Sequence, residues 1–449
     1  MLAGVSKKMI TPDAGIDLAG FGRLDRKNIG VHDNLHVTTL ALKQNEKCVL
    51  IICADLIGFG FQLTKDIKND INKKYGLTED EILLNASHTH SGPQTLENML
   101  VTLGKRNENY VRYFKECVLS SVDEALSSME EISIYYGKTE CNIGINRRLI
   151  LDGKANFQPN EKGLSDKSVT VMKIMKDDVV KAVLFSYACH PSTIGADYVS
   201  ADYPGAAKRL IESELGIKTD KVVSDITCTD NGIVALFMQE CCGNIRVRTI
   251  KDDNFRSGTW EDVNKFGVEL GSTVVKLCKS EMKQLKEDHG KNTGKSVIST
   301  DNSSISTDIK YIELPFKGVK TEEKLKEIKL NGNVHEQLWA ENMLENYNIL
   351  KDTVTFTIQK IELNKEFSII AMGGEVVAEY GLYVKNIDPD KTVISAAYSN
   401  GLAGYIPTDE MFEQGGYEPD GSTIYYLYPS QLENSIEKVI YDNLNKIAK

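Results

Sequence analysis

The run "CVLIICADLIGF" (48–59) constrains the fold more than any other stretch. It is apolar and β-branched with little alternation, which predicts a buried strand. Phe61, Leu63, Ile67, Ile71 and Tyr75 follow at spacings of two to four residues, the pattern of an amphipathic helix. "EILLNASHTH" (81–90) is then a second short apolar run. Strand, helix and strand in this order favour parallel pairing with a right-handed crossover.

The rest of the chain continues the theme. Residues 108–130 read as an amphipathic helix, and 167–192 as a hairpin whose two runs flank "KDD" and end at His190. "GIVALFMQECCGN" (232–244) is an apolar run closed by a glycine turn, and 259–287 read as one long helix. After a polar Ser/Thr/Asn/Gly-rich stretch at 287–308 come "IKYIELPF", a charged helical segment (321–350), "DTVTFTIQKIEL", "EFSIIAMGGE", "KTVISAAYSNGLAGYIPT" and a C-terminal helix. We therefore expect an α/β fold with mixed, largely parallel sheets flanked by helices. Residues 1–449 form a single catalytic unit, with the candidate sub-boundary at 287–308. Asp55, His88, His190 and the "CCGN" turn all follow predicted strands. In open α/β sheets ligands bind beyond the C-terminal strand ends, so the active site is expected there.

Charge narrows the partners. The net charge of −11 disfavours nucleic acid and anionic membrane surfaces, and no run is long enough to span a bilayer. The N-terminal stretch lacks a signal-type apolar run. The nine cysteines are odd in number, sit partly in apolar runs and form no CxxC, which reads as reduced thiols in a cytoplasmic protein.

The chemistry-bearing residues are few. His88 and His90 in "SHTHSGP" are spaced for a metal site, an acid/base pair or a hydrogen-bonded polar turn. His190 precedes a proline, and Asp197 and Asp202 in the loop after it are candidates to orient it, or a turn residue and a helix cap. Glu375 follows two glycines, where it reads as a site carboxylate or a helix-start residue, and Tyr405 and Tyr417 lie in glycine-rich loops. Arg147 and Arg148 are the only adjacent arginines, offering fixed donors to an oxyanion or simply a basic turn. No Walker A loop, GxSxG, HExxH or dinucleotide fingerprint occurs.

Taken in order, "AGVSKKMITP…LAGFG", "GVHDNLHVTTLAL", "SHTHSGP", "GINRR", "CHPST", "MQECCGN", "GGE" and "GYIPT…GGYE" resemble the catalytic portion of the neutral/alkaline non-lysosomal ceramidase family. The resemblance runs from residue 2 to about 425, and the "SHTHSGP" box is its most specific part. It implies zinc held by His88, His190, Glu375 and Tyr405. It gives His90 the acid/base role and sets Arg147 and Tyr417 against the substrate carbonyl. The implied activity is a zinc-dependent hydrolase cleaving an amide (N-acyl) bond with metal-activated water, on a small-molecule or lipid substrate. Two alternatives stand beside it. One is the same site acting on a small polar acylated metabolite, sugar, ester or lactone, and the other is a non-catalytic ligand-binding relative. Two departures are visible. Gly243-Asn244 stands where the family usually has Gly-Asp, and the family's C-terminal β-sandwich domain has no counterpart after the tyrosine loops.

Overall fold

The computed structural model describes residues 1–216, 232–285 and 305–448. The first third contributes β1 (Leu2–Met9), β2 (His36–Gln44), β3 (Lys47–Ala54), α1 (Phe61–Tyr75), β4 (Ile82–Ala86) and α2 (Glu108–Ser127). The middle adds β5 (Ser133–Glu140), β6 (Gly144–Leu151), β7 (Lys154–Asn160), β8 (Ser168–Lys176), β9 (Val179–Tyr187), α3 (Asp202–Leu215), β10 (Val234–Gln239), β11 (Ile245–Val247) and α4 (Trp260–Cys278). The last third adds β12 (Ser306–Pro315), α5 (Glu322–Asn331), α6 (Val334–Glu345), β13 (Thr353–Asn364), β14 (Phe367–Met372), β15 (Glu375–Val376), α7 (Ala378–Ile387), β16 (Thr392–Ala396), β17 (Tyr405–Ile406) and, at the end, α8 (Ile436–Ala448).

Three main sheets form. Their orders are β4-β3-β2-β1, β10-β9-β8-β5 and β12-β13-β14-β16, the first two extended at one edge by a short strand at 130–131 and 283–284. The apolar strands read as they do because both faces are buried. In β3, Val49, Ile51 and Cys53 face a core shared by all three sheets, while Leu50, Ile52 and Ala54 belong to the core that includes Leu63, Ile67 and Ile71 of α1 and Phe114, Val118 and Val122 of α2. In β9 the same division separates Ala182 and Leu184 from Val183 and Phe185, and in β14 it separates Ile369 from Ile370. A period of two with both sets apolar erases alternation from the sequence.

The sheets are mixed, as expected, but antiparallel pairing is the more extensive, which corrects the expectation of largely parallel sheets. Short turns join β2 to β3, β8 to β9 and β13 to β14 as antiparallel neighbours, and a tight turn permits no other pairing. Each main sheet instead holds one parallel pair at or next to its edge: β3–β4, β9–β10 and β14–β16. Two helical expectations shift. The helix expected over 259–287 ends at Cys278, because Lys283 and Gln284 pair with Tyr136 and Tyr135 of β5. The charged segment 321–350 divides at Gly332-Asn333, where Asn333 accepts the N–H groups of His335 and Glu336 and starts α6. Most of the sub-boundary expected at 287–308 lies outside the described residues.

Eight cysteines are free thiols, seven of them buried, and Cys228 lies outside the described residues. No described helix is long and apolar enough to cross a membrane.

Candidate active site

The parallel pairs decide where chemistry gathers. His88 lies just beyond β4, His190 beyond β9, the Cys241–Asn244 turn beyond β10, Glu375 beyond β14, and Tyr405 at the start of β17, which follows β16. The three sheet edges meet at these ends. Asn85 Nδ2 donates to Ala397 O (2.7 Å) and Cys241 N–H to Ser395 O (3.2 Å), while Gly243 N–H reaches Val376 O (2.9 Å). A Cβ at Gly243 would come within 2.5 Å of the Glu375 carbonyl oxygen, so only glycine lets the turn sit this close.

His88 adopts φ +65°, a left-handed backbone that costs a β-carbon residue about 1 kcal/mol or more and is held here by its N–H to Leu56 O (2.8 Å). Its Nδ1 donates to Ile57 O at 2.6 Å. His190 Nδ1 lies 2.8 Å from Cys242 O and 3.0 Å from Ile245 O. A carbonyl only accepts, so each ring carries its proton on Nδ1 and turns a bare Nε2 inward. Burial first, then the Arg147 charge, push His190 down to about 4, which keeps it neutral at neutral pH.

Glu375 Oε2 faces both bare nitrogens, at 3.2 Å from His88 Nε2 and 3.1 Å from His190 Nε2. Tyr405 OH is 3.3 Å from His190 Nε2, and Glu375 and Tyr405 are register partners in the parallel β15–β17 ladder. In the neutral tautomer that the backbone carbonyls select, both Nε2 atoms present only acceptors to the carboxylate, an arrangement that a cation resolves. Ligands bound to zinc at about 2.0–2.1 Å in a tetrahedron lie about 3.3 Å apart, close to the separations found here. His90 joins the cluster, its Nε2 3.2 Å from His88 Nε2, and His88, His90 and His190 form a group that could hold a metal ion. The donor set therefore fits zinc.

His90 is held differently from the other two rings. Its Nδ1 is buried without a hydrogen bond, and Phe21 packs edge-on at 5.1 Å between ring centres. Burial and the neighbouring imidazoles His88 and His190 hold it well below its ordinary value, so it rests as a neutral base.

Arg147 donates through Nη2 to Tyr405 OH (3.1 Å) and through Nε to Glu418 Oε1 (2.9 Å), and its guanidinium lies 5.4 Å from the centre of the Tyr417 ring. Tyr417 packs at 74° against Tyr405, with 5.4 Å between ring centres. All seven sequence-derived candidates thus come together: His88, His90, Arg147, His190, Glu375, Tyr405 and Tyr417. Others do not join. Asp55 is bound by Lys208 Nζ, 2.7 Å from each carboxylate oxygen. Asp197 pairs with Arg23, and Asp202 accepts from Thr193 N–H (2.9 Å) and Tyr203 N–H (2.6 Å), so neither orients His190, whose Nδ1 goes to backbone carbonyls instead.

Several participants escaped sequence reasoning. Glu418 is buried and bridges Arg147 and Arg148. Tyr426 OH donates to Glu375 Oε1, and the Tyr398 ring lies 4.3 Å from that of His88. The nearest signal was density: five tyrosines fall between 398 and 426.

The family model described as neutral/alkaline non-lysosomal ceramidase, N-terminal, matches residues 1–264. The crystal structure of neutral ceramidase from Pseudomonas aeruginosa superposes with a TM-score of 0.73 at 14% identity, covering 100% of this chain and 74% of that one. A structure titled as ceramidase complexed with C2 gives 0.73 at 13% identity, with the same coverage. At these identities the likeness is one of fold.

Proposed function

The chain belongs to the neutral/alkaline non-lysosomal ceramidase family, and on that premise we propose that it is a zinc-dependent hydrolase of amide (N-acyl) bonds. The observation that carries this reading is the meeting of His88 Nε2, His190 Nε2, Glu375 Oε2 and Tyr405 OH at 3.1–3.3 Å. Those four residues would hold the ion. When bound, zinc activates water and polarises a carbonyl.

This chain's own residues do the rest. His90 Nε2, neutral and beside His88 Nε2, takes the proton from the attacking water and returns it to the leaving amine nitrogen. Arg147 keeps N–H donors beyond those used by Glu418 and Tyr405. With the Tyr417 hydroxyl they hold the oxyanion that develops on the carbonyl, each such donor contributing about 3–4 kcal/mol to the transition state. Glu418 fixes the fork of Arg147, and Tyr426 fixes the second oxygen of Glu375. Because the four donors come from segments running from 88 to 405, we take residues 1–449 as one catalytic unit. The free thiols support a reducing, cytoplasmic setting.

The test is metal analysis with variants. Purified protein is expected to hold about one zinc per chain and to hydrolyse medium-chain N-acyl amides. His88→Ala and His190→Ala should lose the metal, whereas His90→Ala should keep it and lose turnover. Full zinc content in both ligand variants would overturn the assignment.

A further inference from the structure

Arg246 sits in β11, directly after the Cys241–Asn244 turn, and its backbone bridges to that of His190. Ile245 and Val247 on either side are buried, so Arg246 turns to the opposite face. There its guanidinium lies 4.5 Å from the centre of the Phe255 ring and 5.8 Å from that of Phe157. Arg147 lies 5.3 Å from the same Phe157 ring. Phe157, 50% exposed, also packs edge-on against Tyr417 at 6.2 Å. Arg246 and the oxyanion-binding pair are therefore neighbours around one aromatic side chain at the rim of the site.

The other arginines of this region are spoken for. Arg147 and Arg148 share Glu418, Arg23 pairs with Asp197, Arg248 with Glu161, and Arg256 with Asp262. Arg26 donates to the carbonyls of Ala19, His90 and Ala196. Arg246 alone among them has no carboxylate and no side-chain hydrogen bond among the described residues, and its Nε is buried without a partner. The side chain is partly buried, and burial with the Arg147 charge pushes its pKa down to about 10, while Cys189 and Asp202 act in the other direction. It remains a cation at neutral pH, in a chain whose net charge is −11. The positive charge at this rim is thus a local arrangement, and the flat guanidinium, packed against the Phe255 and Phe157 pair, offers its fork to a planar anion.

We propose that Arg246 binds a carboxylate of the substrate, so that the site takes N-acyl compounds carrying an acid group rather than neutral amides. The proposal rests on the amide-hydrolase reading above and names its substrate class. A carboxylate on Arg246 would leave the scissile carbonyl to Arg147 and Tyr417, the two groups that share the Phe157 rim with it.

The experiment compares substrates that differ in that group alone. N-Octanoylglycine and N-octanoylglycinamide place the charge on the amine side, and the ethyl monoamides of suberic acid and of its methyl ester place it on the acyl side. The zinc-loaded wild-type protein is expected to show at least a tenfold higher kcat/KM for the acid of one pair. Arg246→Gln should reduce that ratio about tenfold or more, and Arg246→Lys should keep part of it. Equal ratios in wild type, a preference for the neutral member of both pairs, or a ratio untouched in Arg246→Gln would overturn the proposal. Calorimetric binding of each acid and its neutral partner separates the two readings. If no amide is cleaved, the hydrolase reading fails. Tighter binding of an acid, weakened about tenfold in Arg246→Gln, would then still support Arg246 as the carboxylate site, and equal binding would sink it.

Discussion

Asn244 Nδ2 donates to both carboxylate oxygens of Glu379, at 2.9 and 3.1 Å, while Asn244 Oδ1 accepts the Ala378 N–H at 2.9 Å. The same residue's carbonyl accepts the Arg147 N–H at 2.9 Å. Asn244 therefore ties the strand of Arg147 to the helix that follows Glu375. Burial pushes Glu379 up to about 7 from an ordinary 4.5, with its own backbone N–H and Asn244 acting in the other direction. The folded state thus binds a proton that the unfolded chain releases, so Glu379 makes stability fall as pH rises from about 4.5 to 7. Asn244→Asp restores the residue usual in the family but puts an acceptor-only group against a carboxylate. We expect it to cost about 1–3 kcal/mol at pH 8 and markedly less at pH 5, where Glu379 is protonated. Urea denaturation at the two pH values measures this, and equal stability of variant and wild type at pH 8 would refute it.

Glu418 neutralises Arg147 at 2.9 Å and Arg148 at 2.6 Å, and all three side chains are at most 5% exposed. Removing its charge leaves two buried guanidinium groups against an amide. Glu418→Gln is expected to lose about 3–5 kcal/mol of stability. Its kcat should fall as well, because Arg147 Nε would exchange a carboxylate for a weaker amide acceptor. Thermal unfolding combined with steady-state kinetics checks both halves: wild-type stability would refute the cost of the stranded charges, and wild-type kcat would show that Arg147 is positioned without the Glu418 carboxylate.

What the sequence made legible followed from pattern. The strand-helix-strand unit at 48–90 was readable because Leu63, Ile67 and Ile71 keep helical spacing between two apolar runs. The histidines were readable because they lie just past such runs. Pairing direction was readable where a helix or a short turn joins two runs, as in the parallel pair within 48–90 and the hairpin at 167–192, and not from the strands themselves, since a strand buried on both faces looks the same in either. Glu418 was hidden because "YEPDG" reads as an exposed turn, and its partners lie 270 and 271 residues earlier. Arg246 was hidden because "IRVRT" alternates like any edge strand, and only the structure shows that Arg248 has an anion and Arg246 has none.

Asp55 ends β3 as the site residues end their strands, yet it serves packing. Lys208 Nζ holds both its oxygens at 2.7 Å, and Asp55 Oδ2 accepts the His36 N–H at 2.9 Å. Asp55→Ala should therefore lose about 3–5 kcal/mol through the stranded Lys208 charge while zinc content stays at the wild-type level. The double variant Asp55→Leu, Lys208→Met should recover a large part of the loss. Zinc loss from a variant that remains folded would instead move Asp55 into the metal site.

The convergence of the donors depends on how the sheets meet, and Asn85 is the side chain common to all three. Its Nδ2 donates to Ala397 O (2.7 Å), Ser399 Oγ (3.1 Å) and Gln239 O (3.3 Å), and its Oδ1 accepts the Gln239 N–H (2.9 Å). These bonds fix the ends of β4, β10 and β16, from which His88, the Cys241–Asn244 turn behind His190, and Tyr405 depart. Asn85→Ala leaves the Gln239 N–H unpaired in the interior, at about 1–3 kcal/mol, while Ala397 O keeps the Ser399 hydroxyl at 2.9 Å. We expect a total loss of about 1–3 kcal/mol, and a zinc affinity weakened about tenfold because donor spacing is relaxed at the same joint. Asn85→Asp should be worse than alanine, since it removes the donor and buries a charge. Urea denaturation and zinc competition against a chelator give the two numbers separately. Stability lost with affinity intact would mean that apolar packing between the sheets sets the donor geometry. Loss of both would locate that control in this one amide.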